Sequence, residues 1–382
     1  MTAATAWSGA DYRWMSRALQ LAWRGLYGAH PNPRVGCVLT QDEAVVGEGW
    51  HENAGGPHAE ARALEQAGVR ARGAACYVTL EPCAHQGRTP PCAQALIEAG
   101  VGRVVVAVRD PDPRVRGRGL AALREAGIVV AAGLLEQQAE RVNAGYLQRQ
   151  RQRRPWVRCK LAASLDGRTA MADGESRWIS SPQARADAQR LRARSSAILT
   201  GVGTVLADDP RLDVRDPELR RPGRQPLRVV MDRRLRMPAD ARMLSLEGRT
   251  LVLSRHPRPP EAALRPSSRL DIVSLEGEGD AFLAAALRHL AVREQVNELL
   301  VEAGGRLSGA LLQAGLVDEL LLYLAPRLLG HEAQPLFRLP GLARLEQAAS
   351  VEITDLRRIG ADLRVTARIT GAPGSGARTG AS

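Results

Sequence analysis

The sequence predicts an α/β protein of two units. Three observations carry this. At 382 residues the chain exceeds what one hydrophobic core usually serves. Short apolar, β-branched runs alternate with longer amphipathic runs, and this alternation occurs twice along the chain. Between the two series lies a polar run, RQRQRRP at 149–155, closed by Pro155. The expected units are 10–150 and 155–370, with a Gly/Ser/Ala-rich tail at 371–382 expected to be disordered.

The first series opens with an amphipathic helix at 11–27, where Met15, Leu19, Ala22, Trp23 and Leu26 recur at helical spacing. HPNPRVG at 30–36 is an extended turn fixed by its prolines, and it leads into a strand at 35–40. A second strand covers 45–48, with His51 just beyond it. A helix opens at 57–60, with Pro57 near its first turn. A buried strand at 76–80 delivers Glu81, Pro82 and Cys83 to its end, and 90–99 is the next helix. The strand at 103–108 precedes a loop, RDPDPRVRGRG at 109–119. A helix at 120–126, a strand at 128–132 and one helix over about 134–150 complete three layers around a mostly parallel sheet.

The second series starts with a strand at 156 that runs into a turn at Asp166-Gly167. Residues 174–185 are a loop in which Ser181-Pro182 starts a helix. A strand at 197–200 ends in the glycine turn Gly201-Val202-Gly203-Thr204. Further strands are expected at 227–232, 250–254, 270–275 and 319–330, and an antiparallel pair at 351–356 and 362–369. At 298–316 a strand, two glycines (Gly304, Gly305) and a helix follow one another. That order suits a phosphate on backbone N–H groups at a helix N-terminus, or a plain turn. With the turn at 200–204 it offers two cradles, which suggests a dinucleotide.

Chemistry concentrates between His58 and Cys92. The chain reads PHAE at 57–60 and TLEPCAHQGRTPPC at 79–92. One imidazole and two thiolates, His58, Cys83 and Cys92, suit zinc with an open fourth position, where a bound water becomes acidic. Glu60 is a carboxylate beside the set, able to move protons. The general pattern is that of zinc deaminases, H-x-E and then P-C-x-x-C. Here position 86 is Gln86 and the second cysteine comes only at Cys92. His58 and Glu60, two residues apart, do not share one face of an ideal helix, so a common site requires them at the helix start.

Composition narrows the classes. No apolar run reaches a membrane span, and the first residues lack the basic start and apolar core of a signal peptide. Five cysteines in such a chain predict a reducing cytoplasm, with Cys37, Cys76 and Cys159 as buried thiols. The net charge of +12 raises nucleic acid as a partner, but the basic residues are scattered and aromatics make up only 3%. We therefore expect neither nucleic acid nor membrane as partner, and a phosphorylated small molecule favoured by the basic surface. Lys160 is the only lysine; every other basic side chain of this class is arginine.

The stretch HAE, EPC, GRTPPC resembles the pyrimidine deaminase of riboflavin biosynthesis. KLAASLDGRTA, GESRWISS, TGVGTVLADDPRL and VEAGGRLSGALLQAGLVDELLLYLAP are similar to the reductase half of the bifunctional deaminase/reductase family of that pathway. The resemblance implies a cytidine-deaminase-like domain, a dihydrofolate-reductase-like domain, the cofactors Zn2+ and NADPH, and a homo-oligomer. It makes His58, Cys83 and Cys92 zinc ligands and Glu60 the proton donor. It places Asn32, His51 and Arg88 on the deaminase substrate. For NADPH it implies Ala162, Trp178, Thr204 and Asp208, then Gly304, Gly305, Arg306, Leu307, Ser308, Gly309 and Ala310. For the reductase substrate it implies Lys160, Ser176, Arg192, Leu212, Arg215 and Glu302. Where the family often has a small hydroxyl residue after the strand at 227–232, this chain has Arg233, which can reach a 2′-phosphate. Two other readings predict different outcomes. A nucleic-acid base deaminase with an inert, partner-binding second half would bind RNA or DNA in a salt-sensitive way. A zinc-stabilised scaffold would keep all function after Glu60→Gln.

Overall fold

The structure is a computed structural model that describes residues 7–84, 91–176, 178–221, 223–257, 264–371 and 373. The expected disordered tail lies outside these residues beyond 373, as does Arg88. The chain divides into two compact units, Met1–Arg153 and Arg154–Ser382.

The first unit runs α1 (Gly9–Arg24), β1 (Gly36–Gln41), β2 (Ala44–Trp50), α2 (Ala59–Ala67), β3 (Ala75–Leu80), α3 (Cys92–Glu98), β4 (Arg103–Val108), α4 (Arg118–Glu125), β5 (Val129–Ala132), α5 (Glu136–Val142) and α6 (Ala144–Gln152). Its sheet has the order β2-β1-β3-β4-β5. Alternate side chains build two cores, as the pleat requires. Cys37, Leu39, Cys76, Val78, Val104 and Val106 point to one face, where α2, α3 and α4 pack. Val38, Tyr77, Val105 and Ala107 point to the other, against α1, α5 and α6. Three layers result.

Two expectations are corrected here. The sheet is not mostly parallel: β1 is antiparallel to both β2 and β3, and only β3-β4 and β4-β5 are parallel. A hairpin turn too short for a crossover joins β1 to β2, which forces the antiparallel pairing. The single helix expected over 134–150 is two helices broken at Asn143, whose backbone leaves the helical region at φ −112° and ψ 20°. There its buried carboxamide pairs with the backbone of Arg34.

The second unit runs β6 (Trp156–Ser164), β7 (Arg168–Ala170), α7 (Pro182–Arg194), β8 (Ala197–Gly201), α8 (Val202–Asp208), β9 (Leu227–Met231), β10 (Thr250–Ser254), β11 (Leu270–Ser274), α9 (Gly279–Val292), β12 (Glu298–Val301), α10 (Gly305–Gln313), β13 (Glu319–Ala325), β14 (Gln334–Pro335), β15 (Ser350–Ile359) and β16 (Asp362–Gly371). Nine strands form one sheet, β11-β10-β9-β8-β12-β6-β13-β16-β15. From β11 to β13 neighbours are parallel; β16 and β15 add an antiparallel edge. Both faces of the parallel part are covered, so its strands are nearly continuous apolar runs. Val157, Cys159, Leu199, Val229, Leu251 and Leu299 pack on α9 and α10. Ile198, Val230, Val252, Leu300 and Tyr323 pack on the opposite side, with Leu191 of α7 and Val205 of α8. α7 starts as expected: Ser181 accepts from the Ala184 N–H, and Pro182 holds the first helical position. The glycine turn at 200–204 is in fact the start of a helix, with Gly201 as the N-cap of α8. β7 and β14, a two-stranded ribbon, carry too few residues for a periodic signal.

Candidate functional site

Two candidate sites arise, one in each unit. The first lies at the N-termini of α2 and α3. His58 is the N-cap of α2, with extended backbone (φ −72°, ψ 164°), and Glu60 sits in the first turn. The change from extended to helical backbone lets two residues that would diverge on a helix face one centre. β3 and the turn after it carry Cys83, and Cys92 opens α3. The ligand atoms of His58, Cys83 and Cys92 lie within 4.8 Å of one another. His58 Nδ1 is 3.2 Å from Cys92 Sγ and 3.7 Å from Cys83 Sγ. Tetrahedral zinc with usual bond lengths places its nitrogen and sulfur ligands about 3.6 Å apart. The donor set therefore fits zinc by chemistry and spacing.

The two thiols divide one proton between them, and the hydrogen bond with Cys83 pushes the Cys92 thiol well above its ordinary value. The hydrogen bond with Cys92 holds the Cys83 thiol down to about 4, with His58 adding to this. The Cys92 N–H also donates to Cys83 Sγ at 3.3 Å. Cys83 in turn raises the pKa of His58. Glu60 is 3% exposed, and burial pushes its carboxyl up against the pull of His58. A buried carboxyl with a raised pKa is suited to carry a proton near neutrality.

Asn32 and His51 join this centre. The His51 ring packs edge-on to that of His58, with centroids 5.3 Å apart. His51 Nδ1 lies 3.1 Å from the Pro57 carbonyl, which can only accept, so that nitrogen carries the proton. The Nε2 of the neutral ring then accepts from Asn32 Nδ2 at 3.1 Å. This fixes the Asn32 amide and keeps its Oδ1 to offer to a ligand. The expectation for Arg88 falls outside the described residues.

The second site is a cavity of about 910 Å³ at the carboxyl ends of the strands. It lies where open α/β sheets bind ligands. Of the residues implied for the cofactor, Ala162, Thr204, Asp208, Gly304, Gly305, Arg306, Leu307 and Ala310 line it. Of those implied for the substrate, Lys160, Ser176, Arg192, Leu212 and Glu302 line it. Trp178, Arg215, Ser308 and Gly309 are not in the wall. Trp178 is 62% exposed under the Arg185 guanidinium. Arg215 pairs with Asp213 at 2.9 Å. Ser308 donates to the Ala303 carbonyl, and a side chain at Gly309 would meet the Arg338 carbonyl at 2.2 Å.

The two adjacent glycines differ in purpose. At Gly304 nothing lies within 4 Å of the place a Cβ would take, so the backbone is open to a ligand. At Gly305 a Cβ would come within 2.9 Å of the Leu336 carbonyl, so that glycine serves chain packing. The N-terminus of α10 thus opens on the cavity, as a phosphate requires. Deeper in, Arg192 grips Glu302 through two hydrogen bonds, of 2.6 and 2.9 Å. Burial raises the Glu302 carboxyl, but Arg192, with Lys160 and Arg215 behind it, holds it down to about 2. Burial lowers Lys160, which Glu302 partly restores. Arg233, Arg236 and Arg338 add positive charge to the wall, a fit for a polyanionic dinucleotide. Only Arg233 carries a signal in the sequence. Arg236, Arg338, and Asp280 and Phe282 of α9 belong to no motif and come to the cavity through folding alone.

Known proteins match both halves. Residues 8–108 match the cytidine and deoxycytidylate deaminase zinc-binding region, and residues 155–365 match the RibD C-terminal domain. The riboflavin biosynthesis protein RibD of Escherichia coli is 49% identical over 92% of this chain and 98% of its own length. That of Haemophilus influenzae is 47% identical over 94% of this chain and 97% of its own. Among solved structures, Acinetobacter baumannii RibD is 44% identical with a TM-score of 0.87, covering 94% of this chain and 99% of its own. A diaminohydroxyphosphoribosylaminopyrimidine deaminase/5-amino-6-(5-phosphoribosylamino)uracil reductase of Thermotoga maritima is 31% identical, with a TM-score of 0.83 and the same coverage. A metal-type centre and a strand-end cavity, in this order along one chain and matched over more than nine-tenths of it, mean that the chain belongs to the RibD family of riboflavin biosynthesis proteins.

Proposed function

We propose that the unit at 10–150 performs a zinc-dependent deamination and the unit at 155–370 an NADPH-dependent reduction. The chain is a bifunctional enzyme of riboflavin biosynthesis, a hydrolase and an oxidoreductase. It removes the 2-amino group of 2,5-diamino-6-(5-phosphoribosylamino)pyrimidin-4(3H)-one by hydrolysis, then reduces the ribosyl group to ribityl. The observation that carries the first reaction is the triad of donors, His58, Cys83 and Cys92, at tetrahedral spacing beside a buried carboxyl.

When bound, zinc supplies an acidified water for attack on the ring carbon. His58, Cys83 and Cys92 hold it, from the ends of two helices and a strand. Glu60 carries the proton that the ring nitrogen and then the departing amine require. Asn32, fixed by His51, accepts from the substrate ring. In the second unit the N–H groups at the start of α10 would take a cofactor phosphate, and Ala162, Thr204 and Asp208 would border the cofactor. Arg233 answers the 2′-phosphate. Lys160, Ser176 and the Arg192–Glu302 pair set the ribosyl group against the cofactor, whose hydride does the chemistry.

We further place the enzyme in the cytoplasm, where Cys83 and Cys92 stay reduced, and expect a homo-oligomer. Edge strand β15 leaves Val351, Ile353 and Leu356 exposed by 47, 62 and 61%, an apolar face that a second copy would cover. Sedimentation of the intact chain tests this; a monomer at all concentrations refutes it. The activity is tested by product mass, with zinc-loaded protein and the diaminopyrimidinone phosphate. Deamination without NADPH, and a further gain of two hydrogens with it, is the expected result. No change in either reaction overturns the assignment.

A further inference from the structure

We propose that Asn143 is a positioning residue for deamination: its carboxamide sets where Asn32 stands against the metal centre. The proposal rests on the reading of Asn32 as a substrate contact. Asn143 lies at the break between α5 and α6, beyond the segment 8–108 that matches the zinc-binding family model. It is 3% exposed. Its Oδ1 accepts from the Arg34 N–H at 2.8 Å, and its Nδ2 donates to the Arg34 carbonyl at 2.8 Å. The amide thus closes both polar groups of one peptide residue, as a neighbouring strand would. A carboxamide is the smallest side chain with a donor and an acceptor in that geometry.

The clamp has a second and a third point. Arg34 Nη1 donates to the Val142 carbonyl at 2.9 Å, and Arg149 Nη2 of α6 donates to the Pro31 carbonyl at 3.3 Å. Residues 31 and 34 are thereby held from both sides of Asn32. Asn32 in turn meets His51, and His51 meets Pro57 and His58. A short loop held at its ends by buried hydrogen bonds has little freedom to let its middle residue drift. The break in the helix at Asn143 turns its side chain toward Arg34 while its own N–H still bonds Ala139 and Glu140. The local helix geometry is given up where the loop is gripped.

The test is a double-mutant cycle on the full chain. Asn143→Ala, Asn32→Ala and the double variant are compared with the unchanged protein for zinc content and for deaminase kcat/KM without NADPH. Asn143→Ala is expected to retain its zinc and to lose kcat/KM by about tenfold to a hundredfold, the cost of a contact displaced by about an ångström. In the Asn32→Ala background the same change should add less than about twofold, because the two residues act as one. Losses that multiply, or full activity in Asn143→Ala, overturn the proposal. Full activity in Asn32→Ala refutes instead the reading of Asn32 beneath it. If Asn143→Ala loses zinc, Asn143→Asp takes its place, since it keeps volume and acceptor but cannot donate to Arg34 when ionised. Loss of zinc in both variants also overturns the proposal, because the residue then supports the whole unit.

Discussion

The two sites are built in opposite ways. The candidate metal centre draws its possible donors and its buried carboxyl from His58 to Cys92, on two helix starts and the turn after one strand. The cavity of the second unit draws its wall from Lys160 to Arg338, with a few residues from each of many elements. A metal needs few ligands of particular chemical type, so its site is short and its residues irreplaceable. A dinucleotide needs a long surface of backbone N–H groups, small residues and scattered charge, so its site is wide and most members share the load. The first should fail at single residues and the second by degrees.

Removing zinc with a chelator should sharpen the contrast most. Ammonia release should cease, while oxidation of NADPH by the deaminated intermediate continues at an unchanged rate. A parallel loss of reduction would show that the units are not independent. Next in size, Glu60→Gln should lower deaminase turnover by about 10³-fold with zinc content retained. Full turnover in this variant would reduce the centre to a structural one. In the second unit, Gly309→Ala would bring a Cβ to 2.2 Å from the Arg338 carbonyl. The wall must shift, and the Kd for NADPH, read by fluorescence titration, should rise by about tenfold. Loss of all binding would contradict a site that fails by degrees.

The smallest effect separates the units by pH. Asp110 is buried and hydrogen-bonded by Tyr146, and burial pushes it up to about 6 from 3.8. A carboxyl raised on folding stabilises below about pH 4, and this contribution fades as pH rises through about 6. Asp110→Asn should therefore raise stability at pH 8, by on the order of 1 kcal/mol, and change little at pH 4. Glu302 is the reverse case. Held down to about 2 from 4.5, it stabilises above about pH 4.5 and loses this as pH falls toward 2. Glu302→Gln should lower the melting temperature at pH 8. The same direction in both variants would break the comparison.

Legibility followed the same division. His58, Glu60, Cys83 and Cys92 were readable because few residue types bind zinc and their spacing is short. In the second unit, glycine-rich runs were readable only as cradles or turns, since a glycine shows no chemistry of its own. The structure separates their purposes: Gly304 faces the cavity, whereas Gly305 and Gly309 allow packing on the chain at 335–338. Arg236, Arg338 and Phe282 had no local signal at all, because they come to the cavity from two loops and from α9. The helix break at Asn143 was likewise hidden, for its cause lies in the backbone of Arg34.

The sequence by itself determined the alternation of strands and helices, the two-unit α/β organisation, and the grouping of His58, Cys83 and Cys92 with Glu60 near them. These depend on local periodicity and on the chemistry of single side chains. Tertiary structure alone decided the antiparallel place of β1, the wall of the second cavity, the Arg192–Glu302 grip and the hold of Asn143 on the Asn32 loop. Each of those depends on which distant segments meet, and on buried polar groups that must find their partners there.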